Sequence, residues 1–248
     1  MRTGVLAVAL VGAGGCDLVV GMSGDARPCG NATFDSSHPT TLVQADAFSI
    51  DWDEHVALIV LNSGLASQYD LATQHQTSID LGGYVDTALS LSPEGTGLFF
   101  TAMIEPPTLM AAALQKDVWQ TGQRAPHGTY AGTPSADVFG PRRVLVRVRD
   151  TEPTVQEWED QSGIWVAVGD PHELPGVAAP NLTPNGLTMV YAGGGDNPGI
   201  FQATRPATSA WFGDPKLVLT GDHLAPQLLG RCNALYVVDG TQLTRYER

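Results

Sequence analysis

Three of the six histidines in this chain have the residue type and placement that could bind a metal ion or a polar ligand. His127, His172 and His223 fall between successive repeat units, and Asp222 precedes the last of them. Imidazole and carboxylate groups suit transition metals. No H-E-x-x-H or H-x-H spacing accompanies them, however, so a metal site is not expected. We predict that these four residues belong to a ligand-binding loop face and that no cofactor is present.

Three aspartates form the second candidate set: Asp46, Asp86 and Asp137. Each lies just before or within the first strand of a repeat unit, so their carboxylates could face a central channel. Glycosidases use paired carboxylates about 5–10 Å apart. Asp46 stands four residues before Ile50, Asp86 five before Leu91 and Asp137 one before Val138, which are equivalent positions of the repeat described below. These unequal offsets favour capping and turn roles over a shared site. A carbohydrate-active hydrolase using these carboxylates is the alternative function.

The elements that must position these residues come from an internal repeat. Residues 181–192 read NLTPNGLTMVYA, and residues 90–101 read SLSPEGTGLFFT, with no gap between the two. In each stretch an apolar residue, Leu182 or Leu91, is followed seven positions later by an apolar run. We call this first apolar residue the anchor of its unit. The same offset links five anchors to later residues: Ile50 to Ala57, Leu91 to Leu98, Val138 to Leu145, Leu182 to Met189, and Leu228 to Leu235. Anchor spacings of 41 to 47 residues (91 − 50 and 138 − 91) are typical of four-stranded propeller blades.

The fourth unit shows the four strands most clearly. Ala179–Leu182 is predicted as strand a, and a Pro–Gly turn leads to strand b at Thr188–Ala192. Proline presets φ for such a turn, and glycine accepts its positive φ. Ile200–Thr204 and Lys216–Leu219 follow as strands c and d. We therefore predict an all-β fold.

Two of the turns resemble those of a known repeat family. Ser92-Pro93-Glu94-Gly95 and Thr183-Pro184-Asn185-Gly186 resemble the S-P-D-G turn of WD40-like, TolB-type propeller repeats. Residues 200–206 and 212–215 are similar to the c–d stretch of the bacterial exported members. The resemblance covers roughly residues 34–248. The resemblance implies a β-propeller, with protein–protein interaction as its default use. It argues for the fold and not for one activity, because this fold hosts many unrelated functions.

The ends of the repeat array predict how the ring closes. The last unit contains three strands, at residues 225–228, 235–238 and 242–246. The segment Pro39–Val43 resembles a strand d with no strands a to c before it. We predict that it completes the last blade, which removes exposed strand edges. The ring then has five four-stranded blades, with six as the alternative if residues 17–38 hide a partial unit.

The first sixteen residues, MRTGVLAVALVGAGGC, have the form of an export signal. They resemble a bacterial lipoprotein signal in which small residues precede the lipid-bearing cysteine, although Ala13 stands where that family usually has leucine. Cleavage by an ordinary signal peptidase, which would leave Cys16 as a free thiol, is the alternative. We predict a signal peptide at residues 1–15, lipidation of Cys16, a tether at 16–33 and a propeller domain at 34–248.

The two remaining cysteines are predicted to pair. An even number of cysteines in an exported chain favours a disulfide. Cys29 precedes the closing strand, and Cys232 occupies the turn position of Gly186 in the last unit. A Cys29–Cys232 bond would therefore link the N-terminal segment covalently to the last unit, where the ring closes.

The charge limits the classes of partner. Thirteen lysines and arginines against 26 acidic residues give a net charge of −13, which disfavours nucleic acid as a partner. We expect a monomeric cell-envelope lipoprotein, periplasmic or on the outer face of the envelope, that meets the membrane only through its lipid. Its expected role is a non-catalytic module that binds an envelope protein or a small ligand.

Overall fold

The computed structural model describes fourteen segments of the chain: residues 27–30, 33–61, 65–81, 85–92, 95–102, 108–116, 118–124, 135–139, 143–147, 154–161, 164–173, 177–193, 197–229 and 232–248. Within them the regular structure consists of β-strands, as predicted. In this part of the chain no helix is long and apolar enough to span a bilayer.

Across these described segments, twenty strands form five four-stranded antiparallel sheets. In chain order they are β1 (Thr40–Gln44), β2 (Ala47–Ile50), β3 (Val56–Val60), β4 (Ala66–Asp70), β5 (Gln76–Ile79), β6 (Val85–Leu91), β7 (Gly97–Ala102), β8 (Thr108–Gln115), β9 (Val118–Arg124), β10 (Ser135–Phe139), β11 (Arg143–Arg147), β12 (Thr154–Asp160), β13 (Trp165–Glu173), β14 (Val177–Leu182), β15 (Thr188–Gly193), β16 (Gly199–Thr204), β17 (Lys216–Thr220), β18 (His223–Leu229), β19 (Ala234–Asp239) and β20 (Gln242–Glu247).

Four of the sheets follow chain order, and the fifth joins the two ends of the chain. The first to fourth sheets contain β2–β5, β6–β9, β10–β13 and β14–β17, and the fifth has the order β18-β19-β20-β1. Strand β1 pairs antiparallel with β20, with Thr40 opposite Arg245 and Gln44 opposite Gln242. The segment at residues 39–43 therefore supplies the fourth strand of the last sheet.

The first strands of the sheets lie beside one another. Each of β2, β6, β10 and β14 contacts the first strand of the next sheet, and β18 contacts β2. This radial arrangement is that of a β-propeller. The a–b and c–d connections lie at one end of the sheets, which we call the a–b end. The b–c connections and those between sheets lie at the other, which we call the d–a end.

The register of the sheets tests the offset of seven residues. Four anchors pair with the predicted residue: Ile50 with Ala57, Leu91 with Leu98, Leu182 with Met189, and Leu228 with Leu235. In the third sheet Val138 instead pairs with Val144, and Asp137 pairs with Leu145. The prediction for this unit is wrong by one residue. The cause is the a–b connection, where Phe139 and Arg143 form one more pair and shorten the turn.

Apolar side chains from neighbouring sheets form the core. Leu58 of the first sheet packs in one cluster with Leu98 and Phe100 of the second. Ile200 of the fourth sheet packs with Leu235 and Val237 of the fifth. These side chains are almost fully buried, so each sheet is stabilised mainly by its neighbours. Four tryptophans lie in the c–d portions of the sheets: Trp119 in β9, Trp158 in β12, Trp165 in β13, and Trp211 between β16 and β17.

Candidate functional site

Polar side chains on the inner strands bond to the backbone of the neighbouring sheet. The Ser49 hydroxyl, one residue before the anchor of β2, accepts a hydrogen bond from Leu91 N in β6 at 2.8 Å. Gln227, one residue before the anchor of β18, accepts from Ile50 N at 2.8 Å and donates to Ile50 O at 2.7 Å. Both side chains are buried, so their polar groups require partners. They join the first sheet to the second and the fifth to the first.

Asp137 shares the backbone register of these two residues. It precedes the anchor Val138 and pairs with Leu145, as Gln227 precedes Leu228 and pairs with Tyr236. Its side chain, like that of Asp86, lies outside the described residues. Asp86 is the second residue of β6, and Asp46 precedes β2. Asp46 and Asp86 therefore start near the d–a end of their inner strands, whereas Asp137 starts near the a–b end. The hydrolase alternative stays a prediction.

Asp46 lies in the connection between β1 and β2, at the d–a end. Its backbone N–H donates to Val60 O at 2.8 Å, which extends the β2–β3 pairing by one residue. Its Oδ2 atom is buried and has no hydrogen-bond partner within the described segments. Unsatisfied buried carboxylate oxygens are uncommon, so this atom is one place where a ligand or water molecule could bind.

His223, the first residue of β18, is held against the edge of the fifth sheet. Its Nε2 lies 3.1 Å from Thr220 O, and a carbonyl accepts only, so Nε2 carries the hydrogen. Nδ1 is buried without a hydrogen-bond partner among the described residues, and it lies 3.8 Å from Oδ1 of Asp239. The ring also contacts Tyr246 edge-on. His223 therefore packs against the fifth sheet, and its role in ligand binding stays a prediction.

His172 lies in a strand, which corrects its predicted place in a loop between units. It is the eighth residue of β13, because that strand continues through Pro171 to Glu173. Its ring stacks on Trp211, with 3.5 Å between the centroids and 8° between the planes. Trp211 belongs to the c–d connection of the fourth sheet. The imidazole therefore links the third and fourth sheets and does not join His223.

The other predicted loop residues differ in what the structure describes. Asp222 is exposed in the connection between β17 and β18, as predicted. His127 lies outside the described residues. Across the described segments, no three histidine, cysteine or acidic side chains are close enough to hold a metal ion.

A short N-terminal segment, residues 27–30 and 33–35, crosses the boundary between the fourth and fifth sheets, and we call it the strap. Asn185 Nδ2 donates to Arg27 O at 3.1 Å, and Cys29 N donates to Thr188 Oγ1 at 2.8 Å. Further along, Phe34 N donates to Val218 O at 3.0 Å, in the outermost strand of the fourth sheet. Phe34 is 6% exposed, so the strap fills part of the core.

The predicted disulfide holds the strap to the fifth sheet. Cys29 and Cys232 are bonded, with 5.6 Å between their Cα atoms and a sequence separation of 203 residues. Asp35 N also donates to Glu247 O at 3.0 Å, and Arg248 donates to Gly30 O at 2.8 Å. The strap is thus bound to both sheets along its length.

A buried ion pair, which the sequence analysis missed, joins the third and fourth sheets. Arg205 follows β16 and is 2% exposed. It donates to Glu157 of β12 and to Gly186 O, and its guanidinium lies 4.5 Å from the centre of the Phe212 ring. Burying two opposite charges this way requires full pairing, so the loss of one partner is costly. Glu157 stands in a strand of alternating character, and no local signal predicts its partner 48 residues away.

A second network joins the fifth and first sheets at the a–b end. Tyr236 Oη donates to Glu54 Oε1 at 2.7 Å, and Arg245 Nε donates to Tyr236 Oη at 3.0 Å. Arg245 is also within 3.7 Å of Glu54. Burial, followed by the hydrogen bond to the Glu54 carboxylate, raises the pKa of Tyr236 well above its usual value. The phenol therefore stays protonated and remains the donor.

Solved structures of similar fold were found. A TolB structure from Acinetobacter baumannii superposes with a TM-score of 0.52 and 15% identity, covering 82% of this chain and 54% of that one. A protein assigned as TolB from Agrobacterium tumefaciens gives a TM-score of 0.52 and 13% identity, covering 77% and 68%. The chain therefore spans about half the length of the first of these. At such identities the likeness shows the propeller fold alone.

The other comparisons add no family. A gluconolactonase from Xanthomonas campestris superposes with a TM-score of 0.48 and 11% identity, a similarity too low to support an argument about activity. No protein-family model and no curated protein matches the chain.

Proposed function

We propose that this chain is a non-catalytic binding module of the cell envelope, a five-bladed propeller closed by β1 and anchored through a lipid on Cys16. Five sheets with consecutively touching first strands support the blade count and the closure. The form of residues 1–16 and the disulfide support export to an oxidising compartment. The partner is an envelope protein or a small ligand that contacts the d–a end.

The non-catalytic role is supported above all by the hydrogen bonds that polar side chains of the inner strands form with the neighbouring sheet. Ser49 and Gln227 are bonded to the backbone of the next sheet and are not directed at a substrate. Asp137 stands at the same position of its inner strand, so we expect its carboxylate to accept a hydrogen bond from the backbone of the neighbouring sheet. Hydrogen bonds between sheets stiffen the scaffold and hold its loops in fixed positions. Binding a partner then costs less conformational entropy.

The anchor is tested by expressing the full chain in a bacterial host that processes lipoproteins. We expect an intact mass that corresponds to residues 16–248 plus a diacylglyceryl group and recovery in the membrane fraction. Cys16→Ala should abolish both. A mass without lipid in the wild-type chain would overturn this part of the proposal.

The binding role is tested by photo-crosslinking in cells, with a photoreactive amino acid placed at Asp222 or, as a matched exposed position at the a–b end, at Asp53. We expect a discrete adduct from position 222 and none from position 53. Turnover of chromogenic glycosides by the wild-type chain, lost in Asp137→Asn, would instead favour the hydrolase. Identical adducts from both positions would contradict the assignment of the d–a end.

A further inference from the structure

The strap determines where the chain leaves the propeller. Asn185, which holds Arg27, lies in the a–b connection of the fourth sheet. Cys232, which holds Cys29, lies in the a–b connection of the fifth. From there the strap runs outward between these sheets to Val218 and Glu247. Residues preceding Arg27 therefore start from the a–b end, near the inner strands.

The bonds along the strap keep this exit point in place. Gln202 Nε2 donates to Cys29 O at 3.1 Å from a fully buried position in β16. Together with the disulfide and the bonds to Thr188 and Asn185, this fixes both sides of the Arg27–Gly30 segment. The exit cannot move to the d–a end without breaking the disulfide and several buried hydrogen bonds.

The two ends of the sheets also differ in charge among the described side chains. The a–b end has exposed bases together with acids, and its exposed bases are Arg27, Lys116, Lys216 and Arg248. At the d–a end the described exposed charged side chains in the connections are acidic: Asp80, Asp222 and Asp239. Anionic headgroups attract bases near the surface and repel acids. The charge distribution therefore favours the same end for the membrane as the exit of the strap does.

We propose that the a–b end is the surface that faces the lipid bilayer and that the d–a end points away from it. This inference rests on the proposed anchor at Cys16. Eleven residue steps separate Cys16 from Arg27, so the anchor can lie at most about 40 Å from the exit point. A bilayer anchored within that distance meets the a–b end first, and it leaves Asp222 and its neighbouring connections open to partners.

The test uses the mature chain, residues 16–248, with Cys16 coupled to a maleimide lipid in phosphatidylcholine vesicles, so that it does not depend on natural lipidation. A dye is attached through a click-reactive amino acid at Asp214 or at Asp222. These exposed aspartates flank β17 on its a–b and d–a sides. Energy transfer to acceptor lipids should be about twofold or more higher from position 214, because the five-residue strand separates the two by about 17 Å or more.

A reversed anchor supplies the control. In Cys16→Ser combined with Thr241→Cys, the lipid is attached at the exposed b–c connection of the fifth sheet, and transfer should become higher from position 222. In the Cys16-coupled chain, adding phosphatidylglycerol at low salt should increase the preference for position 214. Equal transfer from both positions in that chain, or higher transfer from 222, would overturn the inference. Absence of lipid on Cys16 in cells would instead overturn the proposed anchor and leave this measurement unaffected.

Discussion

The a–b turns of the second and fourth sheets and those of the first and fifth share a positive φ at one position but differ in the residue that adopts it. In the second and fourth, Gly95 and Gly186 have φ of 73° and 66°. At the same position the first and fifth sheets have Glu54 and Cys232, with φ of 57° and 73°. Positive φ costs a non-glycine residue about 1–2 kcal/mol.

The two exceptions are residues with long-range partners. Glu54 accepts the Tyr236 hydrogen bond, and Cys232 forms the disulfide to the strap. Local bonds do not distinguish the two kinds of turn: Ser92 and Thr183 accept from Gly97 N and Thr188 N in the glycine turns. Asp51 accepts from Val56 N in the same way in the first sheet. At Glu54 and Cys232, therefore, a strained backbone coincides with a side chain that bonds one sheet to another part of the fold. Glu54 and Cys232 form long-range contacts that a glycine at the same position could not form.

The largest expected effect comes from removing the Cys232 contact. A disulfide that closes a loop of 203 residues stabilises by about 5 kcal/mol under the chain-entropy model. We expect Cys29→Ser/Cys232→Ser to lower the free energy of unfolding, measured by urea titration, by an amount of this order. Dithiothreitol should destabilise the wild-type chain and leave the variant unchanged. Equal stability of the two proteins would show that the strap contributes through its hydrogen bonds alone.

The Glu54 contact is tested from its partner. Tyr236→Phe removes a hydrogen bond to a carboxylate and should cost about 2 kcal/mol at pH 7. Because the folded pKa of Tyr236 is raised above the unfolded value of about 10, its contribution is complete below pH 10 and falls as pH rises beyond it. Urea titrations between pH 8 and 11 should show a shallower loss in the variant. An unchanged slope would mean that other groups, such as Tyr191 and Tyr246, account for it.

Two substitutions at Glu54 separate the cost of its positive φ from the contribution of its hydrogen bond to Tyr236. Glu54→Ala loses the same contact and keeps the positive φ, so it should be about 2 kcal/mol less stable than the wild type. Glu54→Gly also loses the contact but relieves the strain, so it should recover about 1 kcal/mol of that loss. The matched change Gly95→Ala adds strain alone, since its Cβ would meet Asp51 Cβ at an ordinary 3.6 Å. If the alanine and glycine variants at position 54 are equally stable, the strain is not significant there.

Local signals predicted the parts of the fold that repeat. The Pro–Gly turn and the apolar run from Met189 located β14 and β15, and the isolated strand at residues 39–43 was recognised because the last unit lacked one. Glu157 and Arg205 were missed because their pairing depends on a contact between sheets that no short sequence window contains. His172 was misplaced because Pro171 is typical of loops, yet an edge strand such as β13 tolerates proline.

Other features had signals in the sequence that were not used. The residue before each anchor is polar in all five units: Ser49, Ser90, Asp137, Asn181 and Gln227. Polar residues at a fixed place in a buried inner strand predict a repeated hydrogen bond, as Ser49 and Gln227 form. The offset of Asp137 already favours capping and turn roles, and this pattern adds a hydrogen bond to the neighbouring sheet as its expected role. The candidate site was less predictable than the fold, because the contacts of its side chains depend on how the sheets pack and not on the repeat itself.

The smallest expected effect concerns a second strained position that the sequence also repeats. Ala179 and Ala225 both have φ of 46°, and each stands three residues before its anchor, where β14 and β18 shift register against their partners. Neither side chain forms a tie like that of Glu54 or Cys232, so the strain has no compensating contact of that kind. Ala225→Gly should therefore raise the free energy of unfolding by about 0.5–1 kcal/mol, measured by urea titration. The control Ala234→Gly, in a buried strand position without positive φ, should destabilise. A loss of stability in both variants would mean that the alanine methyl at the bulge packs well enough to outweigh the strain, and the contrast between strained positions with and without contacts between sheets would then fail.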